Sequence, residues 1–245
     1  MAQAATYGAR ARLGLIVPPT NTVNESEWRI AVPEGVSFHT HRMPLHTDLE
    51  TQEGRAALDR DLDAAFAMVL PAAPAAIAYA CTAGSMVDPV ESLPDALAQR
   101  HGVRAVTTSA AIVSGLRKLN AKRLVVASPY TDAMNAHEAT FLAAHGFYVA
   151  AISGRGIGPD RFTDIAHTPL GAVRSHAIET FGESGGADAL VLLCTDYPTL
   201  PLVAELEAEL GLPVVTSNQA TLVASLRAAG LQDAPPMLGR LAALP

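Results

Sequence analysis

The chain presents its two cysteines in the same setting twice, and that repetition restricts the fold more than any other feature. Cys81 closes the apolar run 75–80 and is followed by Thr82. Cys194 closes the run 189–193 and is followed by Thr195. Two further blocks match in the same order: residues 12–21 resemble 123–132, and 102–109 resemble 211–218. All three pairs are separated by about 110 residues, the signature of an internal repeat. A duplicated unit that contains apolar strands must bury both copies, which demands two similar sheets.

The segments between those blocks supply the rest. Short apolar runs at 12–17, 36–42, 77–81 and 103–107 read as four strands. A second set lies at 123–128, 147–152, 189–194 and 213–216. Helical periodicity fills 54–70, 90–100, 109–119, 132–145, 169–181, 202–210 and 219–229. Strictly alternating β and α elements form parallel sheets with right-handed crossovers. The expected fold is α/β, with two similar lobes related by a pseudo-twofold axis. Each lobe is a four-stranded parallel sheet flanked by helices, and the site lies between them. Residues 1–109 with 218–245 are assigned to the first lobe, which carries Cys81. Residues 110–217 form the second, which carries Cys194.

The strand–loop boundary at each cysteine is informative because open α/β sheets bind ligands at the carboxyl ends of their strands. Two thiols there would face one cleft as a two-sided acid/base or nucleophile pair. The plain alternative is a pair of buried structural thiols. The loop after the first strand, 18–25, reads Pro-Pro-Thr-Asn-Thr-Val-Asn-Glu. Its Pro19, Thr20 and Asn21 precede a helix, where backbone amides and side-chain donors suit a carboxylate. Asn21 or Thr22 can equally cap that helix, with Glu25 completing a capping box. Tyr130 is a hydroxyl donor in the matching loop, where Asp132 is expected to cap the next helix. Thr82 and Thr195 flank the thiols. The clusters 107–109 and 216–218 cap helices or touch a carboxylate.

Composition removes several function classes. A net charge of −7 and the absence of a basic run argue against nucleic acid. No apolar stretch approaches a membrane span, and residues 1–10 lack a signal-peptide pattern. A cytoplasmic setting with reduced thiols is therefore expected. The eight histidines, including the alternating His39 and His41 with His46 beyond, have no carboxylate spacing that supports a metal. No Gly-rich phosphate motif follows a strand. The glycines at 154, 156 and 158 read as a loop over the cleft. No cofactor is expected.

Duplicated α/β lobes with one strand-end cysteine each resemble the aspartate/glutamate racemase superfamily. The loop 18–25 together with Cys81 and Cys194 is most similar to the maleate cis-trans isomerase family, over nearly the whole chain. Arylmalonate decarboxylases share the fold but keep only the second cysteine. The resemblance implies that Cys81 is a thiolate nucleophile that adds to the alkene of maleate. Bond rotation and elimination then give fumarate. It implies that Cys194 handles a proton opposite, that Asn21 and Tyr130 hold the carboxylates, and that the enzyme is a homodimer acting on a small dicarboxylate. Segment 158–165 departs from the family by lacking an Asn. There Arg161 would serve as a carboxylate clamp, or Phe162 would line an apolar subsite, and the substrate would be maleate or a related unsaturated dicarboxylate. Two other readings stand beside this one. The first is an amino-acid or hydantoin racemase in which the thiols exchange a proton at one carbon. The second is a non-catalytic protein closing two lobes on a carboxylate.

Overall fold

The apolar runs assemble into two parallel sheets of identical topology. The computed structural model describes residues 6–46, 48–49 and 51–245. Strands β1 (Ala11–Val17), β2 (Val36–Arg42), β3 (Ala76–Tyr79) and β4 (Arg104–Thr107) lie in the order β2-β1-β3-β4. Strands β5 (Arg123–Tyr130), β6 (Tyr148–Ile157), β7 (Ala189–Leu192) and β8 (Val214–Thr216) repeat that order as β6-β5-β7-β8. Every pairing is parallel. Central strands β3 and β7 are buried along their whole length, as their unbroken apolar runs require in a sheet covered on both faces.

Nine α-helices occur among the described residues. They are α1 (Asn24–Ala31), α2 (Gln52–Val69), α3 (Ser92–His101), α4 (Thr108–Lys118), α5 (Asp132–Ala144), α6 (Leu170–Gly182), α7 (Val203–Leu210), α8 (Ser217–Ala228) and α9 (Gly239–Ala242). The repeat extends to helix ends. α3 stops at Gly102 and α7 at Gly211, both in the left-handed region (φ 66° and 72°), where glycine carries no Cβ penalty. The helix that follows the last strand of each half crosses to the other. α8 packs on β3 and β4, while α4 packs on both α8 and β8. No helix among the described residues is long and apolar enough to cross a membrane.

Two expectations need correction. Residues 154–157 are not a loop but the last stretch of β6, with Gly154 paired to Ser128 and Ile157 to Tyr130. A 3-10 helix, Pro159–His167, follows directly. Gly154 is required there because a Cβ would lie 2.1 Å from the Tyr130 carbonyl oxygen. The cap of α5 is Thr131, whose side chain accepts from Met134 N, and Asp132 is already inside the first turn.

Candidate active site

Both cysteines sit two residues beyond a central strand, Cys81 after β3 and Cys194 after β7. Both are free thiols, and both line one cavity of about 500 Å³ at the carboxyl ends of the two sheets. This lies beside β1/β3 and β5/β7, where the strand order reverses and α/β sheets place their ligands. Thr20, Asn21, Thr82, Tyr130 and Thr195 line the same cavity. Pro19 is exposed and its neighbour Pro18 lines the wall instead.

The two thiols have parallel surroundings. Cys81 receives the Gly84 N–H and the Tyr79 hydroxyl; Cys194 receives the Tyr130 hydroxyl and the Asp196 N–H. These donors favour the thiolate, but burial outweighs them and raises both thiols. Cys194 is pushed up to about 12, its neighbours Asp196 and Cys81 adding to the effect of burial. It therefore keeps its proton at neutral pH. Gly84 is needed beside the first thiol: a Cβ there would stand 2.8 Å from Cys81 Sγ and 2.5 Å from Tyr79 Oη. Cys194 itself adopts φ 93°, a region L residues rarely occupy, and such strain gathers at functional sites.

The loop donors brace the site as much as they face it. Asn21 Oδ1 accepts from Val23 N and Asn24 N at the start of α1, while Nδ2 donates to Thr195 Oγ1 at 3.0 Å. Thr195 Oγ1 in turn donates to the Ala80 carbonyl at 3.1 Å. Thr82 shares a 2.9 Å bond with Ser217, whose Oγ also accepts the Cys194 N–H at 3.0 Å. Asp196 Oδ1 accepts from Thr22 N and Val23 N. Glu25 pairs with Arg42 rather than closing a capping box. The clusters at 107–109 and 216–218 stay off the cavity wall. Thr216 forms a capping box with Gln219, Ser109 bonds to Ser85, and Asn218 donates to Glu27 and Thr195 O.

Arg161 does not reach the cavity. It is exposed, and its Nε donates to Asp164 Oδ2 at 2.8 Å one helical turn away. The expected clamp is thus absent from the wall, and Phe162 and Ile165 line it in that segment. Leu45, Leu49 and Met134 extend the apolar side. Sequence reasoning did not single out Glu138, a carboxyl on α5 that is 1% exposed and lines the cavity. Burial pushes it up to about 8. Its only sequence signal was an i+4 spacing from Met134 on a helix whose inward face was not yet known. Among the described residues no group of three His, Cys, Asp or Glu side chains could hold a metal ion.

Comparison with known proteins follows the same lines. The arylmalonate decarboxylase family profile matches residues 13–242. A maleate isomerase from Nocardia farcinica is 31% identical, with 94% of each chain covered. Another from Pseudomonas putida is 31% identical over 94% of this chain and 96% of its own. A solved structure of the Nocardia farcinica maleate cis-trans isomerase, a cysteine-to-serine mutant carrying a covalently bound succinylcysteine intermediate, superposes with a TM-score of 0.82. It is 30% identical, covering 95% of this chain and 98% of that one.

Proposed function

The chain belongs to the arylmalonate decarboxylase family, together with the maleate isomerases it matches, and from that premise we propose that it is a cofactor-independent cis-trans isomerase of maleate or a related unsaturated dicarboxylate. One observation carries the reading: two free, buried thiols on opposite strand ends line one cavity, each with its own phenol and backbone N–H donor. On the resemblance drawn from the sequence, an arylmalonate decarboxylase keeps the second thiol alone and would have no use for Cys81 and its dedicated donors.

In this reading the fraction of Cys81 that has lost its proton to solvent, held as thiolate by the Tyr79 hydroxyl and the Gly84 N–H, attacks one alkene carbon. The C–S bond forms, and the π electrons move onto the neighbouring carbon and its carboxylate. The former double bond is now single and rotates. Donors turned onto the developing charge lower the barrier, and Asn21, Tyr130, Thr82 and Thr195 line the cavity and would exchange their present partners for it. Cys194, still protonated, lends its proton to the carbanion and recovers it. Collapse then expels the thiolate and leaves fumarate. The succinylcysteine in the Nocardia farcinica relative supports the addition step. Residues 1–109 with 218–245 and residues 110–217 are the lobes that enclose the substrate, and a cytoplasmic homodimer completes the proposal.

The test is conversion of maleate to fumarate followed by proton NMR, beside Cys81→Ala and Cys194→Ala. Cys81→Ala abolishes turnover and Cys194→Ala removes most of it. No fumarate from maleate, with deuterium exchange into chiral aspartate, glutamate or a hydantoin in D2O, would replace this reading with a racemase.

A further inference from the structure

One buried titratable side chain on the cavity wall has no part in the mechanism above. Ala133, Met134, His137 and Glu138 face the cavity from α5 at i, i+1, i+4 and i+5, one side of a helix. Glu138 is buried, and its Oε2 has no hydrogen-bond partner among the described residues. Among the described residues the cavity wall includes no lysine or arginine. A carboxylate buried without a cation or N–H donors is costly, so the group holds its proton instead. Its burial-raised value of about 8 agrees. Meanwhile the other donors are largely committed: Asn21 to Thr195, Thr195 to the Ala80 carbonyl, and Thr82 to Ser217. A substrate with two carboxylates needs a free donor at its second end.

We propose that Glu138 is a substrate-contacting residue: as a neutral carboxylic acid it donates its O–H to the carboxylate lying against α5, and so selects dicarboxylates in a pocket whose described wall has no lysine or arginine. The proposal rests on the dicarboxylate reading above. An acid–carboxylate pair shares one proton in a charge-assisted hydrogen bond. Once Glu138 ionises, the same contact becomes a repulsion. The titratable groups that share the cavity wall with it are Cys81 after β3, Tyr130 at the end of β5, Cys194 and Asp196 after β7, and His46 and Asp48 after β2, with His137 beside it on α5; of these Cys81 and Tyr130 feel its charge.

The test measures calorimetric Kd for succinate, a dicarboxylate with no double bond to turn over, at pH 6.5 and 9. The proteins are the full-length parent, Glu138→Gln and Glu138→Leu. Maleate kcat and KM are measured alongside. The parent should bind at least tenfold more weakly at pH 9. Glu138→Gln keeps a donor and cannot ionise, so it should bind within a few-fold of the parent at pH 6.5 and lose that pH dependence. Glu138→Leu should bind at least tenfold more weakly at pH 6.5, with KM moving more than kcat. If Glu138→Leu does not fold, the pH slope of Glu138→Gln decides alone. Equal affinity and equal slopes in parent and variants, with maleate still converted, would overturn the Glu138 contact and leave the isomerase reading standing. A parent that neither binds succinate nor converts maleate overturns both.

Discussion

The chemistry at the first thiol is set by two small local facts. Tyr79 stands two residues before Cys81 and points its hydroxyl at the sulfur, and Gly84 offers its N–H from the loop beyond. Removing the hydroxyl in Tyr79→Phe takes away a donor to the thiolate. The pH midpoint of Cys81 alkylation, read by mass spectrometry in a Cys194→Ala background, should rise by about one unit. That corresponds to about tenfold less thiolate at a fixed pH. Gly84→Ala acts differently: its new methyl meets the sulfur and the phenol oxygen at once, so it should lower kcat/KM at least tenfold while the pH midpoint of the residual activity also moves. The strand-end thiols were legible in the sequence because an apolar run ending in Cys-Thr occurs twice. Tyr79 was hidden because it reads as one more apolar residue of the strand. Arg161 misled for the opposite reason: a guanidinium near a site is a plausible clamp until a partner three residues along, Asp164, takes it.

At the scale of elements, α1 adds a polar tie between the first half and the second. Glu27 projects from it, buried, and its Oε1 accepts from Thr199 N at 2.7 Å and Leu200 N at 2.8 Å. Its Oε2 accepts from Asn218 at 2.6 Å. Burial still outweighs these donors and pushes the carboxyl up to about 7. A carboxyl raised on folding favours the protonated native state, so this contribution is intact below the ordinary carboxylate range and is lost as pH climbs through about 7. Glu27→Gln should therefore flatten the fall of Tm between about pH 5 and 8. It also sets an amide NH2 against the Asn218 amide, whose own oxygen already accepts from Asn24. That unmet donor should cost about 1–3 kcal/mol, a Tm decrease of about 2–10 °C near pH 5 by thermal melting. Strands and longer helices were readable because period and burial coincide in them. The end of β6 was not, since its glycines look like a loop until the close approach to the Tyr130 carbonyl explains them.

Across the whole molecule, the duplication predicts symmetry and the site breaks it. The two thiol–phenol pairs are arranged alike, yet Tyr79 comes from the strand before its thiol while Tyr130 ends β5, a strand away from Cys194. Only one wall carries Glu138, and only the other carries the loop with Asn21. A symmetric reagent should expose this. Iodoacetamide should label Cys81 at least several-fold faster than Cys194 at pH 8, because Cys194 is pushed up to about 12. Peptide mass mapping reads the ratio, and equal labelling would argue against separate roles. The repeat itself was plain in the sequence; the asymmetry was not, because it depends on which helix face turns inward.

The crossing of α4 and α8 has a consequence for how such a chain is inherited. Each half carries the helix that completes the other: Thr221 on α8 donates to Thr108 on α4, and α8 covers β3 and β4. A gene cut at the turn around Asn120 would encode two incomplete partners rather than two small proteins. Expressed together they should reassemble into one soluble particle; expressed singly, each should pair with itself, its last helix lodged in a twin. The present chain has the form that fusing such an arm-exchanged pair would leave.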